Sequence, residues 1–481
     1  MSQDLCDLQA TELVALMAGG AASSVEVMTA HLERIELLNP RLNAIVTLVA
    51  DDALEAARRA DAARRDGAAL GPLHGLPVGI KDLVETAGIR TTWGSPIFAD
   101  HVPAADASIV ARLKAAGAIV VGKTNTPEFG AGSHTFNPVF GATRNPYDES
   151  RSAGGSSGGS AVALATGMLP LADGTDLGGS LRNPASFCNV VGLRPSPGRV
   201  TSLPVTDVWD PMSVSGPIAR TVRDVALALD VMSAPDPRAP LSLAGSPQSY
   251  QTAVGEDISG LRIAWSRDLG GLPLEPEVAE VLAPQRAVFA DLGCEVGDAE
   301  PDLSDADEAF DVLRALGFLA NHHGKWLEHR ALLKDTVVWN IEAGLELTPL
   351  RIAAAMSLRS AIVQRMIAFF EDYDALVLPV SQVAPFPIEY DWVREIDGHS
   401  MEHYVAWQRT CSRITVTSHP AISVPAGFTP AGLPVGIQIV GRYRDERCLL
   451  SIASAFEAAT GYGRQAPGRG SVERGAAATS R

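Results

Sequence analysis

Apolar positions recur at helical spacing along residues 11–17, 23–38 and 51–65, and the second of these opens on Ser23 with Glu26 three residues later, the pattern of a capping box. The pattern then shortens. Residues 76–80 form a compact apolar run bounded by Gly and Pro, residues 107–116 return to helical periodicity, and residues 118–121 are again a short apolar run. That sequence of patterns predicts a strand, a crossover helix and a second strand. It recurs near the C-terminus, with strands expected over 375–380, 421–425 and 435–440 and a helix over 446–459. One α/β sheet fed from both ends of the chain is therefore expected. Residues 235–349 are mostly helical in pattern with irregular connections, as suits an insertion that covers the sheet and shapes a pocket. Residues 466–481 are small, polar and aperiodic and are expected to be disordered. No internal repeat or heptad run is visible.

Composition narrows the class. The 481 residues are 46% hydrophobic and only 20% charged, which is too apolar for a disordered chain. A formal net charge of −17 argues against a nucleic-acid partner and against an anionic membrane surface, both of which need clustered Lys and Arg. Residues 1–7 have neither a basic segment nor an apolar one, so no secretory signal is expected. The uncharged stretch 152–172 begins with Gly and Ser and is interrupted by Pro170, a poor membrane span. Cys6, Cys188, Cys294, Cys411 and Cys448 are scattered and never form a CxxC pair, which reads as a reduced, cytoplasmic protein with no disulfide framework or zinc site.

The densest chemistry lies in residues 153–199. A flexible Gly/Ser linker is one reading, but the segment runs directly into an apolar helical pattern at 161–168. GxxxxGK[ST] is absent, and no GxGxxG follows an expected strand, which disfavours a phosphate loop. GGSSG at 154–158 fits GxSxG, yet the elbow that carries this motif follows a buried strand, and residues 145–152 are polar. His322, His323, His329, His399, His403 and His419 lie downstream as candidate partners, each read as an ordinary surface or core histidine. No HExxH accompanies His322, His323 and His329, which are assigned to a solvated helical face.

GGSSGGSA (154–161) followed by GTDLGGSLRNPASFCNVVGLRP (174–195) resembles the amidase signature family. HGLPVGIKD (74–82), GKTNTPEFG (122–130), SGPIARTVRD (215–224) and GLPVGIQIVG (432–441) extend the resemblance over nearly the whole chain. It implies an α/β amidase-signature fold, a large mixed twisted β-sheet covered by helices on both faces. Residues 1–465 would form one domain: a helical arm (1–66), a signature core (74–230), a variable helical cover (235–349) and a C-terminal return to the sheet (375–460).

The family uses a Ser-Ser-Lys triad whose middle serine follows a cis peptide bond. Carried over, this makes Ser180 the nucleophile, Ser156 the proton relay and Lys81 the base; the two serines stand 24 positions apart, as the family pattern requires. A serine hydroxyl needs an adjacent base, and a lysine qualifies only when burial or cationic neighbours lower its pKa from about 10.4. Lys81 closes the apolar run 76–80, which favours burial. Leu177, Gly178, Gly179 and Ser180 would supply backbone N–H groups to an oxyanion hole. Ser157, Asp176 and Arg182 would support the loop, and Phe129, Gly130, Ala131, Gly132 and Ser133 would form a pocket wall. Trp209, Trp326, Trp339 and Tyr404 are candidate apolar liners, each equally suited to the core.

No metal or cofactor is implied. The expected substrates are small carboxamides, aryl or hydrophobic because the small residues of the wall leave room, with esters and carbamates (urethanes) as related targets. Two other functions are weighed. One is the glutamine-hydrolysing component of a tRNA-dependent amidotransferase, whose region corresponding to residues 202–212 differs; the other is an inactive binding protein on the same fold. Asp173 and Asn183 depart from the usual signature, and the N-terminal helices leave a homodimer open.

Overall fold

Buried side chains alternate between two cores along the strands, which tells how the sheet is covered. At residues 119–121, Val120 joins one hydrophobic layer while Ile119 and Val121 join another; Leu171 and Ala172 divide in the same way, as do Ile439 and Val440. Successive strand residues point to opposite faces, so a sheet buried on both faces needs such two-sided apolar strands. The computed structural model describes residues 4–468; the tail expected from 466 lies, beyond Gly468, outside the described residues.

The main sheet has eleven strands. In chain order they are β1 (Ile45–Leu48), β2 (Pro77–Lys81), β3 (Ile119–Thr124), β4 (Leu171–Asp176), β5 (Val191–Arg194), β6 (Val214–Ala219), β7 (Arg262–Trp265), β8 (Glu295–Asp298), β9 (Ala375–Pro379), β10 (Ala421–Phe428) and β11 (Pro434–Gly441). In space the order is β1-β3-β2-β4-β6-β5-β10-β11-β9-β7-β8. β2 is parallel to both β3 and β4, β7 is parallel to β8 and β9, and the other neighbours are antiparallel. The fold is thus α/β with a mixed sheet, and the helix Ser108–Ala115 is the expected crossover between β2 and β3.

Two expectations change. The region 235–349 is more than a helical cover, because it contributes β7 and β8 to one edge of the main sheet. The N-terminal arm likewise contributes β1 to the other edge. These strands are four residues long, and a run that short is hidden by the stronger helical periodicity around it.

The predicted capping box holds. Ser23 Oγ accepts the N–H of Glu26 at 3.1 Å, and the Glu26 carboxylate takes the Ser23 N–H at 2.8 Å, opening the helix Ser24–Leu42. The helix Pro349–Asp372 is long and apolar enough, by length and composition, to cross a membrane. Its buried stripe, Ala355, Ile362, Met366 and Phe370, recurs at helical spacing; Ile362, Met366 and Phe370 belong to the same apolar core as Phe310 and Ile414.

Candidate active site

Strand alternation decides where Lys81 points. Val78 and Ile80 face one core, so Gly79 and Lys81 face the other side of β2, toward the helix Gly158–Ala165. Gly79 makes room there, since a Cβ on it would sit 2.4 Å from Leu169 Cδ1. The Lys81 Nζ then lies 2.8 Å from Ser156 Oγ, 2.8 Å from Ser157 Oγ and 2.9 Å from Thr175 Oγ1. The peptide bond Gly155–Ser156 is cis.

Burial sets the charge of this lysine. Lys81 is wholly inaccessible, and desolvation brings its pKa down to about 7 against the opposing pull of Asp173 and Asp176. The groups that contact its nitrogen are hydroxyls rather than carboxylates, so near neutral pH a large fraction of Lys81 is a free amine able to take a proton.

Ser180 sits beside this group, with its carbonyl accepting the Ser157 N–H at 3.2 Å. Among the three serines it keeps the most accessible surface, 9% against 2% for Ser156 and none for Ser157.

The loop that presents Ser180 is tied to Asp176, the last residue of β4. Its carboxylate accepts the N–H groups of Gly179 (3.0 Å) and Leu181 (3.1 Å), Arg182 Nε (3.0 Å) and Nη2 (2.9 Å), and Arg194 Nη1 (3.3 Å). Burial alone would raise the Asp176 pKa, but the two guanidinium groups hold it well below the usual carboxylate range. Arg182 in turn donates to Cys411 O, Gln438 Oε1 and Thr415 Oγ1, binding the loop to the C-terminal part of the chain. Of the four N–H groups expected at an oxyanion hole, that of Gly179 donates to Asp176 in this structure.

The expected pocket wall divides. Gly130, at φ 72°, faces the site, and a Cβ there would come within 3.5 Å of Ser156 Oγ. Ser133 Oγ reaches the Gly155 carbonyl at 3.2 Å and also contacts Gln408 Oε1. Ala131 packs with Phe318, Val337 and Ile341, and Phe129 packs against the same cluster. Asn183, one of the two departures from the signature, donates to Ser133 Oγ at 3.2 Å and Gln408 Oε1 at 3.4 Å and so braces that wall. Gln408 has no motif around it, and its distance along the chain hides it from sequence reasoning.

A cavity of about 390 Å³ opens beside Thr175, and Leu83, Trp93, Phe129, Val208 and His322 are among its lining residues. Trp209, Trp326, Trp339 and Tyr404 do not line it. Trp209 is 65% exposed and Trp339 41%, Trp326 packs near Ala131, and the buried Tyr404 hydroxyl is engaged by Arg314 at 2.6 Å and by Asn340. His322 also departs from its expected place on a solvated face, since its ring stacks at 4.5 Å on Phe129. Phe318 four residues earlier marks the same helical face, the signal that could have found it.

Trp93 and Phe129 adopt φ values of 51° and 48°, a conformation that costs an L residue about 1–2 kcal/mol. The turn is held by Asp82, whose carboxylate takes the Thr92 N–H and hydroxyl and whose carbonyl takes the Trp93 N–H, and the Phe129 N–H then donates to Trp93 O at 2.8 Å. Among the described residues no group of three or more His, Cys, Asp or Glu is arranged to hold a metal ion.

The family described as Amidase matches residues 26–450. An acylamidase of Rhodococcus erythropolis is 37% identical over 463 residues, covering 95% of this chain and 96% of that protein. The A component of the glutamyl-tRNA(Gln) amidotransferase of Moorella thermoacetica is 36% identical over 488 residues, covering 96% and 99%. The crystal structure of a bacterial aryl acylamidase of the amidase signature family superimposes with a TM-score of 0.90 at 29% identity, covering 96% of this chain and 98% of that one.

Proposed function

The chain belongs to the amidase signature family of hydrolases acting on amide C–N bonds, and on that premise we propose that it cleaves small aryl or hydrophobic carboxamides through an acyl-enzyme on Ser180. The observation that carries this reading is the buried Lys81 amine, brought to about pKa 7 and held 2.8 Å from Ser156 Oγ, beside the more accessible Ser180.

In the proposed reaction Ser180 Oγ bonds to the carbonyl carbon while its proton moves to Ser156 Oγ, and the Ser156 proton moves to Lys81 Nζ. The oxyanion that forms is met by the N–H groups of Leu177, Gly178 and Ser180. As the C–N bond breaks, the proton returns through Ser156 to the departing nitrogen and the amine leaves. Water then attacks the ester on Ser180, the same relay takes its proton, and the carboxylic acid departs. Asp176, Arg182 and Ser157 hold these groups in place, and their role is positional.

The cavity beside Thr175 is of mixed character, with Leu83, Trp93, Phe129 and Val208 among polar residues such as Thr201, Ser202, Thr206, Asp207 and Asp210, and its apolar members support an aryl or hydrophobic group on the substrate. The likeness to the glutamyl-tRNA(Gln) amidotransferase component supports glutamine as a second reading. A hydrolysis panel of anilides, aliphatic amides, glutamine, p-nitrophenyl esters and an aryl carbamate separates the two. The proposal expects kcat/KM for anilides to exceed that for glutamine by at least about tenfold, and a preference for glutamine would overturn it. Ester and carbamate turnover is expected as well, since both present the same carbonyl to Ser180.

A further inference from the structure

Three buried polar side chains link the segment that presents Ser156 to the loop that presents Ser180. Ser133, Asn183 and Gln408 come from distant parts of the chain, and none is more than 3% exposed. Ser133 Oγ lies 3.2 Å from the carbonyl oxygen of Gly155, the residue before Ser156. It accepts Asn183 Nδ2 at 3.2 Å and contacts Gln408 Oε1, which also takes Asn183 Nδ2 at 3.4 Å. On the other side, the Asn183 main-chain N–H donates at 2.7 Å to the carbonyl of Gly179, the residue before Ser180.

Gln408 closes this linkage. The Ser133 hydroxyl and the Asn183 amide meet at its Oε1, and its Nε2 lies 3.8 Å from where a Cβ on Gly178 would sit, so the carboxamide rests against the loop that carries Ser180. Gln408 is itself held in place: its N–H donates to Val405 O at 3.1 Å, and the helix Arg409–Thr417 follows directly. That helix binds the same loop a second time, through Arg182 Nη1 to Cys411 O at 3.1 Å and Arg182 Nη2 to Thr415 Oγ1 at 3.0 Å. A buried polar network of this kind is rigid while its members are satisfied, and removing one acceptor leaves its donors unpaired.

Proton transfer between two hydroxyls depends on such rigidity, because it occurs only at hydrogen-bond distance and a misplacement of about 1 Å can cost about 10² in rate. We propose that Gln408 is a positioning residue for the proton transfer from Ser180 to Ser156, acting through Ser133 and Asn183 to hold the two serine-bearing segments in register. The proposal rests on the reading of Ser180 as nucleophile and Ser156 as relay.

The test is steady-state kinetics on an anilide with Gln408→Met, Asn183→Ala and the double variant, each beside its melting temperature. Gln408→Met keeps the length of the side chain and removes the acceptor oxygen. Each single substitution is expected to lower kcat by about tenfold to 10², with KM within about twofold of the wild type. Because both residues belong to one linkage, the double variant should fall no more than about threefold below the slower single variant. Losses that multiply, a loss carried by KM, or an unchanged kcat in Gln408→Met overturn the proposal.

Two further variants separate positioning from packing. Gln408→Glu keeps the shape of the side chain and an acceptor oxygen for both donors, and its kcat on the high-pH plateau should stay within about threefold of the wild type. A loss there as large as that of Gln408→Met contradicts the role assigned to the oxygen. Ser133→Ala removes the hydroxyl between Gly155 and Gln408 by a smaller change, so it decides the matter even where Gln408→Met fails to fold. It should lower kcat by the same about tenfold or more, and wild-type kcat in Ser133→Ala also overturns the proposal. Failure of the underlying nucleophile reading would look different, as no fluorophosphonate adduct on Ser180 in the wild type itself.

Discussion

The Asp173 carboxylate accepts the main-chain N–H of Lys81 at 2.6 Å, in a wholly buried setting where its second oxygen has no hydrogen-bond partner. Burial pushes the Asp173 pKa up to about 6, opposed by that N–H and by the charges of Lys123 and Lys81. Asp173 therefore acts on the charge of the proposed base. Its negative charge stabilises the Lys81 ammonium and works against the desolvation that frees the amine.

Asp173→Asn keeps an oxygen acceptor for the Lys81 N–H and removes the charge. The Lys81 pKa should then fall, moving the acidic limb of the kcat/KM profile to lower pH. A pH-rate profile of both proteins checks this, and a limb that stays in place or moves to higher pH would remove Asp173 from the account.

On the proposed mechanism, activity in the wild type requires the neutral form of Lys81, whose pKa burial brings down to about 7. Rate should rise as pH increases through about 7 and level off above it. Lys81→Met keeps bulk and removes the base, and should lower kcat/KM by about 10²–10⁴, while Ser180→Ala should remove about 10⁴ or more. Steady-state kinetics on an anilide measures both. Wild-type turnover in either variant sinks the assignment.

Asp176 is enclosed by Arg182 and Arg194 with no exposed side-chain surface on any of the three. Asp176→Ala leaves two buried guanidinium groups without their shared partner and should destabilise the protein by about 3–5 kcal/mol. Thermal unfolding, with soluble yield as a second readout, measures the loss. An unchanged melting temperature would mean that the loop carrying Ser180 is held by something other than this carboxylate.

Gly179 has φ 116°, and a Cβ on it would lie 2.7 Å from Cys411 Cβ. Gly179→Ala must therefore move the loop carrying Ser180 or the helix Arg409–Thr417. The expected outcome is a large fall in kcat with a smaller change in melting temperature, because the loop can shift while the core stays packed. Kinetics with differential scanning fluorimetry distinguishes that pattern from general unfolding.

Where apolar patterning and chemistry coincide, the sequence is readable. The run 76–80 marks β2, and Lys81 at its end points to a buried base. β4 is harder to see because Leu171–Asp176 contains Asp173, Gly174, Thr175 and Asp176, polar or small residues in a buried strand. Their burial is tolerated because hydrogen bonds and ion pairs satisfy most of their polar atoms, which hydrophobic periodicity does not register. The strands β7 and β8 are concealed by their length. The cavity lining is the least legible part, since Trp93, Phe129, Val208 and His322 come from four separated segments and meet only through the tertiary fold. The signature motifs locate the proposed triad without revealing which aromatic residues line the cavity.

The account is tested most directly by mass-spectrometric mapping of fluorophosphonate labelling across a range of pH. It predicts a single adduct on Ser180, formed at a rate that rises through about pH 7 and falls by at least about 10² in Lys81→Met. Labelling absent from Ser180, or present there at the same rate in Lys81→Met, would contradict it.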